Sequence, residues 1–152
     1  MTFKRILVAT DFSENARHAL DRARSLLDPQ GGRVVLMTAL GAPDPHTMVG
    51  GAMNPHINLV QAREQAEAQL RAEAKRAAVG QALEAVVVRD RRAEAEILAA
   101  ARELEADLIV VGSHGYRGFK RWVIGSVSEQ VTRQSEIPVL LVPMPPDDGA
   151  ER

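Results

Sequence analysis

An α/β fold, a single-domain doubly wound five-stranded parallel sheet of Rossmann-like type with helices on both faces, is predicted by three observations on the sequence. Five short apolar runs, "ILVA", "VVLM", "AVVV", "LIVV" and "VLLV", alternate with segments of helical period, the signature of strand–helix–strand units. Each run is apolar at consecutive positions, as strands buried on both faces require. The length of 152 residues suits one domain that buries its own core without staples.

The first strand is expected from Arg5 to Thr10. In the segment after it, Ala16, Ala19, Leu20, Ala23, Leu26 and Leu27 follow helical spacing, with Ser13 as N-cap. The second strand runs from Arg33 to Leu40. It is followed by "GAPDPHTMVGGAMNPHI", Gly41 to Ile57, whose Gly, Pro and Asn content predicts a mobile loop. A second helix from near Leu59 to about Ala78 presents Arg63, Glu64, Glu67, Arg71, Glu73, Lys75 and Arg76 as a solvated face. The third strand is placed at Leu83 to Arg89. A third helix from about Ala93 to Glu105 offers Ile97, Leu98, Ala101 and Leu104 to the sheet. The fourth strand, Leu108 to Gly112, precedes a helix from about Val127 to Gln134 that carries Val127 and Val131, and Val139 to Val142 forms the last strand. The domain is expected to span residues 1–144, and residues 145–152, with no apolar anchor, to form a disordered tail.

Nineteen basic and twenty acidic residues leave a formal charge of −1, which argues against nucleic acid or membrane as the main partner. The absence of cysteine excludes a disulfide framework and thiolate chemistry and fits a reducing compartment. No apolar stretch reaches the roughly 20 residues of a membrane-spanning helix, so a soluble, cytoplasmic protein is expected.

The stretch "VVGSHGYRGFKRWVIGSVSEQV", Val110 to Val131, contains Gly112, Gly115 and Gly125, followed by Ser126, Val127 and Ser128. Gly112 closes a buried strand and Gly125 opens a helix, where a doubly wound sheet builds its ligand loops. Two readings stand. In one, Gly112 and Gly115 permit positive φ and close approach of a ligand, the helix N-terminus attracts an anion, and the Ser126 and Ser128 hydroxyls donate to phosphate oxygens. In the other, the glycines serve turns and Ser126 only caps the helix. Neither GxxxxGK[ST] nor GxGxxG occurs, so a nucleotide would need a third arrangement.

These residues, together with "ILVATDFSENARHAL", "VVLMTAL", "ADLIVVGSHG" and "SEIPVLLVP" in that order, resemble the universal stress protein family in its nucleotide-binding branch. Its pattern of Gly, two residues, Gly, nine residues, then Gly-Ser matches Gly112, Gly115, Gly125 and Ser126. The resemblance covers nearly the whole chain and implies strand order 3-2-1-4-5, with ATP, with or without Mg, across the carboxyl ends of strands one and four. It implies that Ala9, Thr10 and Asp11 line base and ribose. Ala39 would offer backbone contacts to adenine and Val111 would pack near base or sugar. Gly112, Gly115, Gly125, Ser126, Val127 and Ser128 would hold the phosphates. Asp11 has a second reading as the N-cap of the first helix, in competition with Ser13. The segment "VRDRRAEAEI" departs from the family's small-residue pattern. Its Arg89, Arg91 and Arg92 are read as solvating a helix start.

Other chemistry is weaker. Ser113 beside His114 lacks a GxSxG elbow. His46, His56 and Asp44 have no regular ligand spacing, and no metal site is expected. Arg117, Lys120 and Arg121 alternate with Tyr116, Phe119 and Trp122, a mixture suited to single-stranded nucleic acid or polyphosphate. The preferred reading is that Phe119, Trp122, Val123 and Ile124 anchor the loop while the cations assist electrostatically. No residue but Asp11 offers a base for attack on a γ-phosphate, so at most slow hydrolysis is expected. The expected function is an ATP-binding stress-response protein acting through nucleotide-dependent conformation or association. The alternatives are an interaction module that binds unknown protein partners without nucleotide, and an adenylating enzyme. The apolar strand at 139–142, bounded by Pro138 and Pro143, lies at a sheet edge in the family's order and predicts a homodimer.

Overall fold

The computed structural model describes residues 1–40, 55–77, 82–88, 92–113 and 124–144, and the side chains of these except 55–59 and 82–88. The elements are β1 (Arg5–Ala9), α1 (Glu14–Ser25), β2 (Arg33–Ala39), α2 (Pro55–Ala77), β3 (Ala82–Val88), α3 (Ala93–Glu103), β4 (Leu108–Gly112), α4 (Ser126–Gln134) and β5 (Val139–Val142). All strand pairs are parallel, in the order β3-β2-β1-β4-β5. Because successive strand residues point to opposite faces, the consecutive apolar runs feed two cores. Ile6, Val8, Val34, Leu36, Leu108 and Val110 pack with Ala19, Leu20 and Ala23 of α1 and Leu70 and Ala77 of α2. Leu7, Val35, Met37, Ile109 and Val111 pack on the other face with Ile97, Leu98 and Ala101 of α3 and Val131 of α4.

The structure corrects several element ends. α2 begins at Pro55, inside the segment read as loop, because proline suits the first helical turn, where its missing N–H costs nothing. The rest of that loop, the 145–152 tail and residues 114–123 lie outside the described residues. β3 begins at Ala82 and ends at Val88, one residue earlier at each end than read. β1 stops at Ala9 and β2 at Ala39, each one residue before its expected end. α3 stops at Glu103, and Glu105 then takes a φ of 49°, a left-handed turn that ends the helix.

Two side-chain expectations also change. Glu73, read as solvated, is buried and accepts from Arg17 Nε at 3.0 Å and Arg76 at 3.1 Å. A buried carboxylate needs such partners, and here they tie α1 to α2. Val127, read as part of the apolar face of α4, is exposed, whereas Val131 is fully buried. At the amino edge, the Asp107 carboxylate accepts from the backbone N–H groups of Lys4 at 2.8 Å and Arg5 at 3.0 Å, pinning the start of β1 to that of β4.

Candidate functional site

β1 and β4 are neighbours in register, Ala9 beside Val111. The chain leaves β1 for α1 on one face, while α4, which follows β4, lies on the other. Divergence of this kind opens a crevice at the carboxyl edge, where ligands of doubly wound sheets settle.

One wall is the turn from Thr10 to Ser13, fastened by three local hydrogen bonds. Phe12 N–H donates to Thr10 Oγ1 at 3.0 Å, Ser13 N–H to Asp11 Oδ1 at 3.0 Å, and Ala16 N–H to Ser13 Oγ at 3.2 Å. Ser13 is therefore the N-cap of α1, and Asp11 supports it from outside the helix. Phe12 sits at φ 65°, a region costly for a bulky residue, held there by the Thr10 hydroxyl and by packing of its side chain against the α1 core. Thr10 is buried, with its N–H donated to the Met37 carbonyl at 2.8 Å, while Asp11 is exposed at the crevice mouth. Ala39 ends β2 half-buried, and Ala9 ends β1 half-buried in register with Met37, two residues before Ala39. Val111 has its side chain in the core beneath α3 and α4, which leaves its backbone as the part near the crevice.

The other wall is the junction of β4 and α4. Ser113 N–H donates to the Val142 carbonyl at 2.8 Å, and the Ser113 carbonyl accepts from Gly125 N–H at 2.8 Å. The chain thus leaves the sheet at Ser113 and returns to the same point at Gly125, bringing together two glycines far apart in sequence. Gly125 is the N-cap of α4, with φ −61°, and being glycine it offers the helix no side-chain cap of its own. The first-turn amides of Ser126, Val127 and Ser128 therefore carry the donors and the positive dipole end that bind anions. Gly125 needs no special backbone conformation; what it lacks is a side chain that would cover these amides.

Two phosphate expectations are corrected here. Ser128 is buried and its Oγ donates to the Gly112 carbonyl at 2.7 Å, so that hydroxyl is spent inside the protein and Ser128 can offer an anion only its backbone N–H. Ser126 is exposed, so its hydroxyl is not enclosed as that of Ser128 is. Gly112 does not have positive φ, since Gly31 is the only glycine among the described residues that does. Its missing side chain makes room for Asn15, whose Nδ2 would lie 2.6 Å from a Cβ at position 112. Asn15 is the site residue that the sequence reading passed over. Its signal was present: a polar residue on the buried stripe shared with Ala19 and Ala23.

Gly115, His114 and the Tyr116 to Val123 patch lie outside the described residues, as do His46, Asp44, Arg89 and Arg91. Ile124, read as a loop anchor, is 47% exposed. Arg92 is exposed at the start of α3, where its Nε pairs with buried Glu94 at 2.6 Å. Among the described residues no group of three His, Asp or Glu side chains could hold a metal ion, and no helix is long and apolar enough to cross a membrane.

Comparison with known proteins finds relatives of the same fold. Universal stress protein MJ0577 of Methanocaldococcus jannaschii is 28% identical over 154 residues, covering 92% of this chain and 94% of that protein. The solved structure of MJ0577 superposes with a TM-score of 0.83 at 26% identity over 97% of this chain and all of that one. A universal stress protein of Thermus aquaticus is 34% identical over 140 residues, 92% of this chain and 98% of its own length. The crystal structure of a universal stress protein in complex with cAMP shares the fold, with a TM-score of 0.67 at 24% identity, over 93% of this chain and 98% of that one. The sequence profile of the universal stress protein family matches residues 2–143, and the chain belongs to that family.

Proposed function

We propose that residues 1–144 act as one nucleotide-binding domain, which holds ATP across the carboxyl ends of β1 and β4. In this reading the protein serves the stress response through nucleotide-dependent conformation or association, with at most slow hydrolysis. The observation that carries the reading is the first turn of α4, whose N-cap Gly125 has no side chain, brought to the end of β4 by the bond between Gly125 and Ser113. The Gly125 N–H is spent on the Ser113 carbonyl, so the triphosphate rests on the amides of Ser126 to Ser128, with Gly115 and the Ser126 hydroxyl adding donors. The base and ribose lie toward Ala9, Thr10, Asp11, the backbone of Ala39 and the backbone of Val111. Any Mg that accompanies ATP would be held by the phosphate oxygens themselves. That the same fold holds cAMP in a solved universal stress protein fits an adenine nucleotide in this crevice.

Calorimetric titration of the native protein and of a Gly115→Val, Gly125→Val double variant tests this. Binding by the native protein and a loss of at least tenfold in affinity for the variant are expected, because branched side chains would cover the amides. No binding by the native protein, or equal binding by the variant, sinks the reading.

The domain is further proposed to pair through β5. That strand is the last in the sheet among the described residues, bonded there to β4, with Val139, Leu140 and Leu141 only half-buried; an apolar edge of this kind favours pairing with a second copy. Light scattering at micromolar concentration is expected to give the dimer mass, and a monomer mass refutes the pairing.

A further inference from the structure

We infer that Asn15 is a positioning residue of the nucleotide site, and that position 112 is glycine to accommodate Asn15 and not the ligand. The inference rests on the nucleotide reading above but concerns a residue that touches no nucleotide in it.

The backbone at Gly112 is ordinary strand, paired with Val142, so conformation does not require glycine there. Space does. A Cβ at 112 would approach Asn15 Nδ2 to 2.6 Å and Asn15 Cγ to 3.0 Å, and the next atom, the Asn15 backbone carbonyl carbon, lies at 3.5 Å. All three belong to one residue, and only the two side-chain atoms are closer than ordinary contact. Asn15 is 2% exposed in the first turn of α1, so its amide cannot swing into solvent to make way.

The Gly112 carbonyl in turn receives the Ser128 hydroxyl at 2.7 Å. The first turns of α1 and α4, on opposite faces of the sheet, therefore meet at one residue. A displacement of Gly112 by Asn15 passes through Ser128 to the amides that face the phosphates. Asn15 thus sets the separation of the two walls of the crevice.

A double-mutant cycle tests this, with ATP affinity by calorimetry and Tm by thermal unfolding measured on native protein, Asn15→Ala, Gly112→Ala and the double variant. Gly112→Ala is expected to lower Tm and weaken ATP binding about tenfold, and Asn15→Ala alone to weaken it about threefold, as contacting residues couple by such amounts. In the double variant the new methyl occupies space vacated by the amide. Affinity then returns to within about threefold of native, and Tm rises above that of Gly112→Ala. A double variant that recovers Tm yet binds ATP as weakly as Gly112→Ala shows that the ligand needs the glycine, and overturns the inference. Additive losses in both measurements overturn it too. A native protein that binds no ATP removes the positioning role together with the nucleotide reading, whereas recovery of Tm still reports the packing of Asn15 on Gly112, so the two failures are separable.

Discussion

A Ser126→Asp variant is expected to lose ATP binding by about 100-fold while unfolding at the same temperature as the native protein or slightly above it. Ser126 is exposed in the first turn of α4, after an N-cap that has no side chain. An aspartate there is favourable for the isolated helix, because a carboxylate near a helix N-terminus stabilises it by roughly 0.5 kcal/mol. For a triphosphate the same carboxylate is repulsive and competes for the same amides. At about 4 Å and an effective dielectric near 20, one pair of unit charges costs about 4 kcal/mol, and exposure at the crevice mouth reduces this to about 2–3 kcal/mol. The opposite signs make the experiment decisive, since damage to the fold would lower both quantities together. Calorimetry and thermal unfolding of one preparation check it. Retained affinity would show that the phosphates lie elsewhere.

Leu36→Ala is expected to cost about 3 kcal/mol of stability and roughly 10 °C in Tm, with no change in net charge. Leu36 is 0% exposed on β2 and belongs to the core under α1 and α2; its register partners are Val8 and Ala85. Removing its branched end leaves a cavity between sheet and helices that a central strand cannot collapse to fill. Val60→Ala is the matched control, because Val60 is 58% exposed and the same kind of truncation there should change stability by less than about 0.5 kcal/mol. Urea unfolding distinguishes the two, and a loss below about 1 kcal/mol for Leu36→Ala would contradict its place in the buried core on an interior strand.

What the sequence disclosed and what it hid follow from the range of the interactions involved. The runs "VVLM" and "LIVV" announced buried parallel strands because burial on both faces leaves no polar alternation. Ser13 was legible as a cap because its partner, Ala16, is three residues away. Ser128 was not, since its partner Gly112 is sixteen residues away and a hydroxyl at a helix start looks the same whether it faces a phosphate or a carbonyl. Gly112 was recognised as important, but for ligand approach. The neighbour that demands it, Asn15, lies on another element and is brought close only by the sheet order. Glu73 was misplaced because charge favours exposure in the absence of a partner, and its partner Arg17 comes from a different helix. Pro55 was read as loop because its neighbourhood of Gly, Pro and Asn outweighed its fitness for a helix start.

The fastened turn from Thr10 to Ser13 bears on the thermodynamics of recognition. Its three local hydrogen bonds and the left-handed Phe12 are set when the chain folds, so in the proposed reading a nucleotide would meet this wall already shaped. Little conformational entropy remains to be lost on that side. Any ordering that accompanies association must therefore arise from the rest of the site, and amide exchange at Phe12 and Ser13 should be equally slow with and without nucleotide.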